Sequence, residues 1–297
     1  VTTSSSLDAE RLLARERDRA LADIDWTELP PDAVRGRFAA PSGELAVVSM
    51  GDPQAPRVVL VPGVTGSKED FVRMMPILAS AGHHVQSFDL AGQWESSAAG
   101  PAPGRPFTEE LFAEDLVAFL RAGPPAHLLG YSFAGIVSQL VAVRHPELIR
   151  SLALLTTPPG SGNVFRGMRV LGPAAPLASP RTGASLMIWG IMTNKNRVPP
   201  GRLAFVRSRF ARTSRRSVDD IIGLMMRTPD RRAAVRALDV PKLVAVGRRD
   251  LWPLSAHERF ACAIGAEIRA YDTGHSPCET TPHELCLDLR ELYLRAA

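Results

Sequence analysis

Gly130-Tyr131-Ser132-Phe133-Ala134-Gly135 follows a short apolar run at 126–129 and directly precedes a helical pattern at 133–144. A serine on such a sharp strand-to-helix turn presents its hydroxyl above a sheet, and the strained backbone admits only small residues beside it. A serine hydroxyl is a poor nucleophile at neutral pH; it needs a base, and the base needs an orienting carboxylate. For this kind of turn the chain order is serine, then acid, then histidine. Asp250 follows the apolar run 242–246 through Gly247-Arg248-Arg249, and His275 follows the run 267–271 through Asp272-Thr273-Gly274. Both then fall at the carboxyl edge of a parallel sheet, where reacting groups collect in open α/β folds. Asp272 is a second acidic candidate but would have to fold back on a histidine three residues away. Residues 151–165 offer no Asp or Glu at all, so Asp250 is the expected partner.

Acyl chemistry also needs donors for the oxyanion. One is the backbone N–H after the nucleophile, that of Phe133. The other is expected from the loop Val61-Pro62-Gly63-Val64-Thr65-Gly66-Ser67, where the glycines let a backbone N–H turn inward and Val64 is the expected donor. The same glycines do not make a phosphate cradle, because the G-x-x-x-x-G-K-[ST] pattern is absent.

The other six histidines carry blander expectations. His83 and His84 precede a strand and His127 lies within one, as packing or edge residues. His145, His257 and His283 stand at helix ends or faces, where solvated roles dominate. Cys262, Cys278 and Cys286 show no C-x-x-C spacing, so neither a disulfide framework nor a zinc site is indicated. Cys278 reads as a structural thiol.

The elements that must position these residues alternate along the chain. A first helix is expected from Leu7, capped by Ser6, with a modest stripe of Leu12, Leu13 and Ala20 or Leu21. Segments 36–40 and 44–50 read as a hairpin about Pro41-Ser42-Gly43, and 57–61 as a strand buried on both faces. Helical patterns at 71–80, 108–121 and 133–144 then alternate with extended runs at 84–88, 126–129 and 151–155. That is the rhythm of a parallel sheet with helices on both faces. It breaks at 160–238, where prolines, glycines and helix-like pieces at 184–192, 202–212 and 218–226 intervene. Strand patterns resume at 242–246 and 267–271, and a helix at 282–294 closes the chain.

Taken together, these motifs resemble the α/β-hydrolase fold family, in its capped branch of esterase-like and lipase-like enzymes. The resemblance runs from about residue 36. It rests on Pro62-Gly63-Val64, on the turn Asp89-Leu90-Ala91-Gly92-Gln93-Trp94-Glu95-Ser96, on the elbow at 130–135, on Gly247-x-x-Asp250 and on Gly274-His275. Pro62 replaces a more usual histidine, and Trp94 a small residue. The resemblance implies a mostly parallel α/β-hydrolase sheet formed by 1–159 and 239–297, with 1–30 as a helical extension. Residues 160–238 would then be a helical cap inserted late in the sheet. It further implies ester hydrolysis through Ser132, His275 and Asp250 with no cofactor or metal. Trp94, Tyr131, Trp189 and Trp252 are expected to line the pocket. The family's epoxide-hydrolase and dehalogenase branches use an aspartate nucleophile, so Ser132 argues against both, as does the lack of tyrosine in 160–238. Thioesterase or lactonase action on an anionic substrate, or a ligand-binding pseudo-hydrolase, are the alternatives.

Composition sets the outer bounds. The 297 residues carry 35 basic and 31 acidic side chains, a formal charge of +4, and 45% are hydrophobic. Such a chain can build an unstapled core. Thirty-two of the basic residues are arginine. Fifteen basic residues against three acidic ones lie in 160–238, giving that segment +12 and the remaining chain −8. Two expectations compete for this asymmetry: ion-paired docking of a cap onto an acidic body, or arginines at the pocket rim that attract an anionic substrate. Arg202, Arg209, Arg212 and Arg216 would share one helical face if a helix runs that far, with Leu203, Val206 and Phe210 on an adjoining one. Five of eight methionines also lie in this segment. No module or aromatic interleaving suggests nucleic-acid binding. No apolar run is long enough to span a membrane and no signal-peptide h-region is seen, so a cytoplasmic protein acting on a small-molecule ester or thioester is expected. A homodimer is left open.

Overall fold

The structure, a computed structural model, describes residues 2–166, 168, 182, 185 and 198–296. Eight strands form one sheet: β1 (Val34–Ala40), β2 (Gly43–Met50), β3 (Arg57–Val61), β4 (His84–Phe88), β5 (Ala126–Tyr131), β6 (Ile149–Leu155), β7 (Lys242–Gly247) and β8 (Glu267–Tyr271). Their spatial order is β1-β2-β4-β3-β5-β6-β7-β8. β1, β2 and β4 pair antiparallel, and the pairs from β4 to β8 are parallel. Every residue of β3 and β5 is buried, as expected where helices cover both faces of a parallel sheet.

The pleat of β3 divides the core. Val59 and Val61 point into an apolar cluster on one side, and Val58 and Leu60 into a cluster on the other. Helices α3 (Glu109–Arg121), α4 (Phe133–Arg144) and α8 (Leu254–Ile264) pack on the first face. Helices α2 (Met74–Ser80) and α10 (Pro282–Leu294) pack on the second. The helix expected over 71–80 is shorter, because a 3₁₀ turn at Lys68–Phe71 precedes α2. Three further helices, α5 (Pro200–Arg212), α6 (Arg215–Met225) and α7 (Arg232–Arg236), lie between β6 and β7 in sequence, while those two strands pair directly. The short α9 (Pro277–Thr280) precedes α10. The helix expected at 184–192 lies outside the described residues.

The N-terminal helix differs from expectation. Helix α1 (Thr2–Arg19) begins before Ser6, and Leu12 and Leu13 face solvent while Ala14 is buried. Docking is polar instead. The Asp18 carboxylate accepts from the backbone N–H groups of His283 (2.9 Å) and Glu284 (3.0 Å) at the start of α10. There it satisfies donors that a helix leaves unpaired. Arg11 pairs with Asp288 (2.6 Å) and Glu291 (2.8 Å), and Arg15 with Glu284 (2.6 Å).

The arginines of α5 are also placed differently. The helix stops at Arg212, because Ser214 caps the next one by accepting from Ser217 N–H. Arg216 therefore belongs to α6 and does not continue the face of Arg202, Arg209 and Arg212. Phe205 and Val206 are buried on α5, and Leu203 and Phe210 are half-buried. Met225, with Met168 and Met226 against it, joins the core cluster; Met187 and Met192 lie outside the described residues. No helix among the described residues is long and apolar enough to cross a membrane.

Candidate active site

Strand β5 ends in the turn that carries Ser132, whose φ of 54° and ψ of −119° lie where a side chain is strained. The turn holds because nothing larger fits. A Cβ on Gly135 would stand 1.8 Å from Thr157 Oγ1, and one on Gly130 would stand 2.4 Å from Ser138 Oγ. Ser132 N–H donates to the Leu155 carbonyl at 2.8 Å, tying the elbow to the end of β6. The side chain is 7% exposed, so the hydroxyl is sheltered and reachable.

Asp250 and His275 arrive on two loops joined along their backbones. Arg248 N–H donates to the Tyr271 carbonyl (2.8 Å) and Arg249 N–H to that of Thr273 (2.9 Å). Gly247 is required for this approach, since a Cβ there would meet Gly274 O at 1.9 Å. The result is a linear array: His275 Nδ1 stands 2.5 Å from Asp250 Oδ1, and His275 Nε2 stands 3.1 Å from Ser132 Oγ. A carboxylate only accepts, so Nδ1 carries the proton and Nε2 is free to accept from the serine O–H. Asp250 is buried, which raises a carboxyl pKa. Attraction to the His275 and His257 rings in their protonated forms at acid pH, together with hydrogen bonds from both, outweighs burial and holds it at about 2. Asp272 is exposed and pairs with Arg249, so it does not compete for His275.

Opposite the elbow, Gly63 packs so closely that a Cβ would lie 2.9 Å from Ser132 Cβ. The loop beyond it is fastened donor by donor. Thr65 N–H donates to Gln93 Oε1 (2.8 Å), Gly66 N–H to Gly63 O (3.0 Å), Ser67 N–H to Asp70 (3.1 Å) and Lys68 N–H to Asp89 (2.8 Å). Among the described residues none accepts from Val64 N–H. Phe133 opens α4, so its N–H has no carbonyl one turn back to bond. The Asp89 turn braces this loop from behind. Burial pushes the Asp89 carboxyl up to about 7 despite the adjacent Lys68 ammonium.

The aromatic expectations divide. The Tyr131 and Trp252 rings flank His275 at 5.6 and 6.1 Å between centroids. Tyr131 hydroxyl bonds Ser276 Oγ (2.8 Å), and Trp252 Nε1 donates to Val164 O (2.7 Å). Trp94 is corrected. It packs with Trp26, Val72 and Phe205, and Arg212 lies 4.7 Å over its ring. Its backbone N–H donates to Thr213 Oγ1, so its contacts form the seam beneath α5 rather than the surroundings of His275. Trp189 lies outside the described residues. Two cavities of about 290 Å³ open elsewhere, one beside Glu110 and Arg144, the other beside Arg11 and Arg269. Neither includes a residue of the array.

His257 corrects the sequence reading most sharply. Expected on a solvated helix face, it is wholly buried, with Nε2 2.7 Å from Asp250 Oδ2. Its only local signal is a position seven residues after Asp250, across the Pro253 that starts α8. Gln93 was also unforeseen; its Nε2 donates to Ser217 Oγ of α6 at 2.7 Å, linking the Val64 loop to the segment between β6 and β7. Among the described residues, no three His, Cys, Asp or Glu side chains are grouped to hold a metal ion.

The comparisons agree with this geometry at the level of fold. Residues 56–175 match the family model described as alpha/beta hydrolase fold. The bifunctional epoxide hydrolase 2 of Rattus norvegicus is 33% identical over 132 residues, 43% of this chain and 23% of that protein. A pimeloyl-[acyl-carrier protein] methyl ester esterase of Neisseria meningitidis serogroup B is 36% identical over 99 residues, 33% of this chain and 35% of that protein. The chain thus spans well under half the length of these relatives. Among solved structures, the enol-lactonase from Burkholderia xenovorans LB400 superposes with a TM-score of 0.71 at 20% identity, covering 87% of this chain and 100% of that one. The local match and the eight-stranded, mostly parallel topology together give the chain the α/β-hydrolase fold.

Proposed function

We propose that the chain hydrolyses carboxylic esters through an acyl-enzyme formed on Ser132. The observation that carries this reading is the unbroken array from Ser132 Oγ through His275 to Asp250. Ser132 Oγ attacks the acyl carbon as its proton passes to His275 Nε2. Asp250 holds the imidazole and balances the charge it gains. The oxyanion is received by the N–H groups of Val64 and Phe133. Collapse returns the proton to the leaving alcohol and leaves Ser132 acylated. Water then attacks the acyl group with His275 as base, releasing the acid and free serine. Tyr131 and Trp252 line the approach beside the imidazole.

The relatives divide between epoxide and ester chemistry, and the elbow residue separates them. Epoxide opening in this family would need a carboxylate nucleophile, and position 132 is a serine. Thioesters and lactones are open to the same acyl chemistry. Attraction of anionic substrates finds less support. Arg202 and Arg209 are consumed by Asp70 and Glu279, and Arg231 pairs with Glu109. A serine-directed fluorophosphonate is expected to label the native protein and not Ser132→Ala. Absence of labelling in native protein overturns the reading. A panel of aryl esters and thioesters at low and high salt then fixes the acyl group.

A further inference from the structure

Two histidines share one carboxylate. Asp250 offers Oδ1 to His275 and Oδ2 to His257, at 2.5 and 2.7 Å. Only His275 reaches the nucleophile. Asp250 is 2% exposed and His257 0%, so neither contact can be exchanged for bulk water. The carboxylate can only accept, which puts a proton on His257 Nε2. The other ring nitrogen, Nδ1, is buried and has no hydrogen-bond partner among the described residues. A bare Nδ1 leaves one neutral acceptor unmet. A second proton would instead leave an unpaired N–H and a positive charge in a dry site, a far larger penalty. Among the described residues the contacts of this ring are the Trp252 ring, 6.4 Å away, and Asp250, which is already shared with His275.

We infer that His257 is a positioning residue: as a neutral Nε2–H donor it locks the Asp250 carboxylate so that Oδ1 faces His275. This rests on the serine-hydrolase reading above. Without the donor, Oδ2 stays buried and unpaired, and the carboxylate is free to rotate about its Cβ–Cγ bond. The imidazole is then held less firmly in line with Ser132 Oγ, which lowers kcat, and the carboxylate, no longer sharing its charge with a second donor, raises the proton affinity of His275.

His257→Leu, His257→Gln and native protein, each standardised by fluorophosphonate titration of Ser132, test the inference. His257→Leu should lower kcat about 10- to 100-fold, with KM held within about twofold, the loss typical of orienting partners that act through another group. The acid limb of its kcat/KM profile should move to higher pH. His257→Gln, whose side-chain amide presents an N–H at similar reach, should recover most of both. A role confined to packing would lower the unfolding midpoint and the titratable fraction while leaving per-site kcat and the acid limb in place; that result overturns the inference. So would equal losses in the Gln and Leu variants. Should His257→Leu not fold, ¹⁵N-histidine NMR of the native protein decides. A neutral His257 protonated at Nε2 is expected, and a doubly protonated ring overturns the assignment. Failure of native protein to label would strike the serine-hydrolase reading alone, since the NMR result does not depend on turnover.

Discussion

Two buried clusters use similar residue types for opposite ends. In one, Asp250, His257 and His275 form an array that terminates on Ser132 Oγ at a strained turn. In the other, Asp70 accepts from Arg202 (2.7 Å) and Arg209 (2.6 Å), and Arg202 also reaches Glu279 (2.5 Å). The second closes on itself: two carboxylates meet two guanidiniums, and the Arg202 guanidinium stacks 4.4 Å over the Trp26 ring. It joins α5 to the 3₁₀ turn before α2 and to α9. Burial of charge alone therefore does not mark a reactive site. What distinguishes the first cluster is an open end, a serine hydroxyl with one proton to give and a neighbour with a free lone pair.

The largest expected effect breaks the open end. Ser132→Ala or His275→Ala should reduce turnover by at least about 10⁴-fold while leaving the thermal unfolding midpoint within a few degrees of native. A residual rate near native would mean that the array is a structural network like its counterpart. Arg202→Met breaks the closed cluster instead. Glu279 would be left buried without its partner, and removal of one member of a buried pair costs roughly 3–5 kcal/mol. Urea unfolding should show that loss, whereas kcat per titrated serine should stay near native. Arg202→Met combined with Glu279→Leu should regain over half the stability, because no orphan charge remains.

The two clusters were not equally legible in the sequence. The elbow announces itself locally, because the steric demands of its turn fall on adjacent positions: Gly130, Ala134 and Gly135. Asp250 and His275 follow because each lies a few residues past a readable strand. The closed cluster joins residues 132 apart in sequence, Asp70 and Arg202, and no local pattern records that meeting. The +12 of residues 160–238 left docking by charge and attraction of an anionic substrate both open, and gave no sign that Arg202 and Arg209 would be buried. The packing of Trp94 was hidden for a related reason: its ring meets Phe205 and Arg212 of α5, more than a hundred residues away in sequence. α1 misled by its leucines, since its attachment runs through Asp18, Arg11 and Arg15.

A smaller effect tests how tightly the open end is set. Gly63→Ala puts a Cβ 2.9 Å from Ser132 Cβ, a distance that forces the Val64 loop away from the elbow. Loss of one oxyanion donor costs about 10²- to 10³-fold in kcat. A displacement of a few tenths of an ångström should therefore lower kcat by about 10- to 100-fold and KM little. The variant should still bind fluorophosphonate, only more slowly. Native kcat in Gly63→Ala would remove Val64 from the oxyanion site.

The smallest effect separates two carboxyls by the sign of their pH dependence. Asp250 is held at about 2, below its ordinary 3.8. Its contribution to stability is therefore complete above pH 3.8 and is lost as pH falls through about 2; a shift of this size corresponds to about 2 kcal/mol. Asp89 is pushed by burial up to about 7. Between 3.8 and 7 the folded chain holds a proton there that the unfolded chain does not, so this group makes stability fall as pH rises through that window. Urea midpoints across pH should show both limbs in native protein. Asp250→Asn should flatten the acid limb, and Asp89→Asn the limb between 3.8 and 7. If Asp250→Asn keeps the acid limb, the carboxylate is not carrying the charge that His275 needs, and the open cluster would differ from the closed one in geometry alone.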